Sequence, residues 1–214
     1  MTAWECLTTT LRLVWRRIGL LLAANVLWIA LSLPIVTWPA ATAGLFYLIS
    51  RVVKEELDFE PRDARLSDFW EGVRQYGWRG SLLALIDLLA LLIIGIALRF
   101  YSQSPTEWLR WLVGPIALIG LAVVGAQLYL YPLLIQRPER PIWELAREAF
   151  LIAISYWLYT LSLLITATVV AIAAALLAGP VLLIFFSLLA MFETVALRLV
   201  LIHRGEIVPV RLPR

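Results

Sequence analysis

Apolar positions in this chain run in long blocks rather than in the short periods of soluble strands and helices. Residues 18–36, 81–101, 111–135, 150–178 and 180–202 are nearly uncharged. As helices, each of these five blocks is long enough to cross a hydrocarbon core of about 30 Å. A sixth apolar block, residues 40–53, is short for a full crossing and predicts a short returning or re-entrant helix. The pattern predicts an all-α membrane protein, a six-crossing helical bundle of five full spans plus the short returning helix at 40–53, in a single membrane domain over residues 1–214.

Charge placement sets the orientation. If residues 40–53 return to their side of origin, 16 of the 18 Lys and Arg residues fall on one side and only Arg99 and Arg110 on the other. Basic residues near span ends are retained in the cytoplasm, so both termini are expected there. Residues 54–80 and 136–150 become cytoplasmic connecting segments with amphipathic stretches. Ser67 is placed to cap a helix that presents Phe69, Val73 and Tyr76 on one face. Trp4-Glu5, Trp70-Glu71 and Trp143-Glu144 head comparable cytoplasmic segments. They mark either three parallel units, each a helical lead and two spans, or only interfacial anchoring by tryptophan. Trp15, Trp70, Trp78 and Trp143 would sit at the inner interface, and Trp38, Trp108 and Trp111 at the outer one. Arg16 and Arg17 before an apolar block, with Ala41-Thr42-Ala43 after it, resemble a signal peptide. The block is too long for one and more spans follow, so an uncleaved first helix is expected.

The composition agrees, with 62% hydrophobic residues and a mean hydropathy of +0.88 against roughly 45–50% apolar residues in soluble domains. The formal charge of +3 comes from the cytoplasmic arginines, which read as contacts to anionic lipid of the bilayer rather than to nucleic acid. One cysteine, Cys6, excludes an intrachain disulfide framework and a cysteine-rich metal site.

The segment Ser32-Leu33-Pro34-Ile35-Val36-Thr37, followed by Pro39, Ala40, Thr42, Ala43, Gly44 and Leu45, resembles the signature of the YesL-like bacterial membrane proteins. Ser67-Asp68-Phe69-Trp70-Glu71-Gly72-Val73-Arg74 with Trp78 is similar to a second segment of that family. Trp38 departs from the small aliphatic residue the family often has, and the usual glycine before the second proline is absent. The resemblance implies a multi-span plasma-membrane protein of unknown function with a link to carbohydrate uptake or sensing. Physically, Pro34 and Pro39 each remove an amide hydrogen and disfavour helix at the preceding residue, so the first span should end there and turn back. Thr37 and Thr42 can satisfy the backbone groups so freed. The element is either a tight outer turn or an unwound stretch lining a ligand cavity.

Polar residues inside the spans form one expected layer. Asn25, Asp87, Gln127 and Glu193 lie roughly 12–15 Å from the basic end at 1.5 Å per residue, with Arg198 nearer that end. Carboxylates there should face the bundle, paired or protonated. The layer is polar glue between helices or a proton- or cation-linked site. Ala167, Ala171, Ala175 and Gly179 recur every four residues and predict a helix-packing seam. No zincin, phosphate-loop or dinucleotide motif is present, and the lone His203 reads as an interfacial residue. Neither catalytic residues, cofactor nor metal are therefore expected. Two functions remain: a non-enzymatic accessory or regulatory component that engages a membrane transporter or sensor protein through its cytoplasmic face, or a small solute or ion carrier using the first hairpin and the buried acids.

Overall fold

The computed structural model of the chain describes residues 2–59, 63–177 and 182–207, and these form helices and short connections only. Helix α1 (Ala3–Arg16) opens on a reciprocal cap. The Thr2 hydroxyl accepts from the Glu5 amide and the Glu5 carboxylate accepts from the Thr2 amide, both at 3.2 Å, which satisfies two otherwise orphaned donors. The chain then bends by 93° at Arg17 into α2 (Ile18–Ser32). Cys6, Thr10, Leu13 and Val14 of α1 are buried, Trp4, Leu11 and Trp15 form an exposed apolar stripe, and Glu5 and Arg12 mark a third, polar face. A helix with one face for protein, one for lipid and one for water fits the membrane surface.

Helix α2 stops ahead of Pro34, and a 3-10 turn (Ile35–Thr37) leads into α3 (Trp38–Asp58). The Thr37 hydroxyl lies on the Leu31 and Pro34 carbonyls, and the Thr42 hydroxyl donates to the Trp38 carbonyl at 2.9 Å while accepting from the Trp28 indole at 3.1 Å. Pro39 falls in the first turn of α3, where a missing amide hydrogen costs no helical bond. The prolines therefore end one helix and open the next, as their chemistry requires. The lengths differ from expectation. The first apolar helix closes at Ser32 rather than at residue 36, whereas the returning helix, expected to be short at 40–53, is a 21-residue element.

After a left-handed Phe59 at φ 54°, α4 (Ser67–Ser102) runs unbroken for 36 residues, about 54 Å. Ser67 does not cap it: Ser67 is already the first helical residue, the cap position is Leu66 without a side-chain bond, and Asp68 in the first turn reaches back to accept from the Arg65 amide at 2.9 Å. A short α5 (Glu107–Arg110) precedes α6 (Val113–Gln136). Within α6, Pro132 is buried and frees the Leu128 carbonyl from its helical bond. Pro141 opens α7 (Ile142–Ser155), a break at Tyr156 separates it from α8 (Trp157–Leu177), and α9 (Leu182–His203) closes the described fold. The span expected over 150–178 is thus two helices. The Arg204 guanidinium lies 5.6 Å from the Tyr156 ring centre and His203 meets that ring edge-on, so the break docks on the end of α9.

Among the described residues, five helical stretches are long and apolar enough to cross a membrane: Ile35–Asp58, Ser67–Ser102, Glu107–Gln136, Trp157–Leu176 and Ile184–His203. Helix α2 reaches that threshold only together with α1, from which it is bent away. The spans fall into two classes. In α3, α6 and α9, half or more of the apolar window is buried, against 6% in α4 and 22% in α8. Helices α3, α6 and α9 each contact the other two and form an inner trio; α2, α4 and α8 lie outside it.

The packing is cyclic. Helix α1 lies on α9, the first part of α4 lies on α3, and α7 lies on α6. Each lead helix thus rests on the inner helix of the preceding unit, and the first rests on the last. Two leads, α1 and α7, are both 14 residues long and both break through a residue of similar backbone, Arg17 at φ −118° and Tyr156 at φ −115°. Trp4-Glu5 and Trp143-Glu144 occupy the same positions in them, whereas the lead headed by Trp70-Glu71 continues unbroken into its span. This geometry favours the three-unit reading over anchoring alone.

Candidate functional site at the arginine-rich end

The C-terminal ends of α3, α6 and α9 gather at one end of the bundle, where their unsatisfied carbonyls carry the negative end of each helix dipole and favour cations. The arginines there are joined to acids of neighbouring elements. Arg16 and Arg17 at the α1–α2 bend bond Glu56 at 2.9 and 3.0 Å, and Arg17 also meets Glu55. The Glu55 carboxylate in turn accepts from the Ala64 amide at 2.9 Å. Glu148 of α7 takes Arg137 at 2.6 Å and Arg140 at 3.0 Å, and Glu206 completes the group with Arg137. Arg79 of α4 donates to the Pro138 and Arg140 carbonyls. Of the basic residues read from sequence as lipid contacts, Arg16 and Arg17 tie α3 to the α1–α2 bend within the first unit, while Arg137 and Arg140 tie the end of α6 to α7.

Between these ties a cavity of about 290 Å³ opens among the inner trio, lined by Ser50, Lys54 and Asp58 of α3, Arg137 at the end of α6, and Thr194 and Arg198 of α9, among others. The buried Arg198 grips Asp58 with both terminal nitrogens, one of them at 2.6 Å. Ser50 and Thr194 spend their hydroxyl hydrogens on the Tyr47 and Ala190 carbonyls of their own helices, at 2.7 and 2.8 Å. Both acids among the described lining residues, Asp58 and Glu206, are already neutralised by arginine.

The intramembrane polar residues divide into separate contacts. Gln127 donates to the Asp87 carboxylate at 2.9 Å, joining α4 to α6. Buried Asn25 accepts from the Ser187 amide at 3.1 Å, joining α2 to α9. Tyr131 of α6, stacked on Phe46, lies within electrostatic reach of both Asp87 and Glu193. Glu193 is half-buried and has no hydrogen bond or ion pair among the described residues. Arg198 stands apart from this layer, at the cavity, because its partner is Asp58. Neither Asp87 nor Glu193 lines the cavity.

The signature hairpin does not line this cavity either. Leu33, Ile35 and Val36 are 78–87% exposed, which makes the turn an outward-facing apolar tip, with Ser32 and Thr37 half-buried behind it. Of the alanine seam, Ala167 packs on the core and Ala171 is half-buried, but Ala175 is exposed while Ala174 is buried; Gly179 lies outside the described residues. The closest helix seam is elsewhere. A β-carbon added to Gly44 of α3 would meet Val73 at 2.5 Å and the Phe69 carbonyl at 2.8 Å, and one on Gly72 of α4 would meet Tyr47 at 2.5 Å. Gly77 and Gly80 approach Ala40 and Ala43 in the same way. Small residues spaced three to five apart in both segments were the available signal.

Among the described residues no group of His, Cys, Asp and Glu side chains could hold a metal. These features define a multi-span helical protein whose polar structure is concentrated at one end of an inner helix trio. Residues 21–98, from α2 to near the end of α4, match the family described as "Protein of unknown function, DUF624". That is a little over a third of the chain, and it contains both the hairpin and the α3–α4 glycine seam. No curated protein and no solved structure is significantly similar to the chain.

Proposed function

We propose that the chain is a non-enzymatic component of a bacterial plasma membrane. It makes six crossings with both termini in the cytoplasm, and engages a membrane transporter or sensor protein through its arginine-rich end. The reading rests on one observation: the cavity, the ionic ties and the three lead helices share that end, whereas the hairpin tip is an apolar turn. The positive-inside rule puts that end in the cytoplasm. The resemblance of the hairpin and α4 segments to YesL-like proteins, with which the family match is consistent, favours a role in carbohydrate uptake or sensing.

A carrier is the second reading, favoured by the Asp87–Gln127 bond and the half-buried Glu193 at mid-membrane. Against it, the cavity does not reach either acid. Photo-crosslinkers placed at exposed Glu144 of α7 and at Val36 of the hairpin separate the two in native membranes. Adducts with a transporter or sensor subunit at Glu144 but not at Val36 are expected. Absence of adducts at Glu144, together with solute uptake that disappears in Asp87→Asn, would replace the accessory role with a carrier.

A further inference from the structure

An open groove of about 410 Å³ runs along the first turns of α4, lined by Ser67, Trp70, Glu71, Arg74 and Gln75. Trp70, Arg74 and Trp78 are spaced by four residues and so form one stripe of the helix. The opposite face, with Phe69, Gly72 and Tyr76, is buried. Both tryptophans are exposed, and Arg74 between them is exposed with no ion pair or side-chain hydrogen bond among the described residues. That separates it from Arg16, Arg17, Arg137, Arg140, Arg198 and Arg204, whose charges are spent on carboxylates. The nearest acid of the groove, Glu71, is turned toward α3, where the Tyr47 hydroxyl donates to it at 3.2 Å.

We propose that this groove binds the headgroup of an anionic phospholipid, with Arg74 on the phosphate, Ser67 and Gln75 as further donors, and Trp70 and Trp78 seated at the headgroup level. Three considerations favour lipid over a soluble anion. Flanking exposed indoles are the side chains that settle at the membrane interface. The groove is open along the helix rather than closed over a solute. An unspent guanidinium beside a negatively charged leaflet is attracted by it. The arrangement recurs on α7, where exposed Arg147 follows exposed Trp143 by one turn and also has no partner among the described residues. The inference is independent of the partner-binding role.

Native mass spectrometry of the full chain with equal amounts of phosphatidylglycerol and phosphatidylcholine tests it. The wild type should retain the anionic lipid preferentially. Arg74→Gln should lower that preference about fivefold, Arg74→Lys should keep most of it, and Arg16→Gln, whose charge is already paired, should change it less than Arg74→Gln does. Helix content and melting of Arg74→Gln should match the wild type because the side chain is exposed. Equal retention of the two lipids by the wild type, or an unchanged preference in Arg74→Gln, would overturn the assignment. Displacement of the anionic lipid by millimolar glycerol 3-phosphate would overturn it as well, by making the ligand a soluble phosphate.

Discussion

At the residue scale, what an ionisable side chain does here depends on whether a partner meets it. Arg198 is buried and doubly bonded to Asp58, so removing one member strands the other. Asp58→Ala should destabilise the protein by about 3 kcal/mol, measured as detergent-resistant melting, and Asp58→Ala with Arg198→Met should recover much of the loss. Cys6 is fully buried on α1, its thiol donating to the Phe192 carbonyl at 3.4 Å. Burial pushes that thiol up to about 12, against the lowering effect of the Tyr159 and Thr10 hydroxyls. Because the shift is upward, the reactive thiolate stays scarce at neutral pH. Maleimide should label Cys6 only after unfolding, and labelling of the native protein at the rate of a free thiol would contradict its placement. Asp87 is satisfied by an amide, so Asp87→Asn should leave melting within about 1 kcal/mol of wild type, since the replacement keeps the shape and a hydrogen bond.

At the element scale, the fold turns on where small residues permit contact. Gly44 and Gly72 bring α3 and α4 together more closely than any β-carbon allows. Gly44→Val should therefore separate the helices and lower melting sharply, by 2 kcal/mol or more on the order of an overpacked core. Gly95, on the exposed part of α4, meets nothing within 4 Å, and Gly95→Ala should be neutral or slightly stabilising. A comparable loss in both variants would show that these glycines matter through helix flexibility rather than the seam. This seam was poorly legible in the sequence. The hairpin was readable because Pro34, Thr37 and Pro39 act locally, through a missing amide and a short hydroxyl reach. The α3–α4 contact joins residues about 30 apart, and nothing in a single segment says which small residues will meet. The alanines of α8 have the same spacing, yet Ala175 is exposed.

At the scale of the molecule, three units share one plan: a lead followed by two apolar stretches, with the inner helices α3, α6 and α9 at the centre and each lead laid on its neighbour's inner helix. The alternation of apolar blocks and the tryptophan-glutamate pairs offered this plan as one of two readings, the other being interfacial anchoring by tryptophan alone. The roles of the arginines were not visible. Charge counting locates them at one end, but whether a guanidinium meets lipid or a carboxylate depends on tertiary neighbours such as Glu55, Glu56 and Glu148. Since that ionic end also carries the cavity, its side of the membrane governs the whole account. Cysteine accessibility in intact cells decides it most directly, using Asp63→Cys, an exposed position ahead of α4, and Gln103→Cys, after its far end, each in a Cys6→Ala background. The account predicts that a membrane-impermeant maleimide labels Gln103→Cys from outside and reaches Asp63→Cys only after the cells are opened. Labelling of Asp63→Cys in intact cells would contradict it.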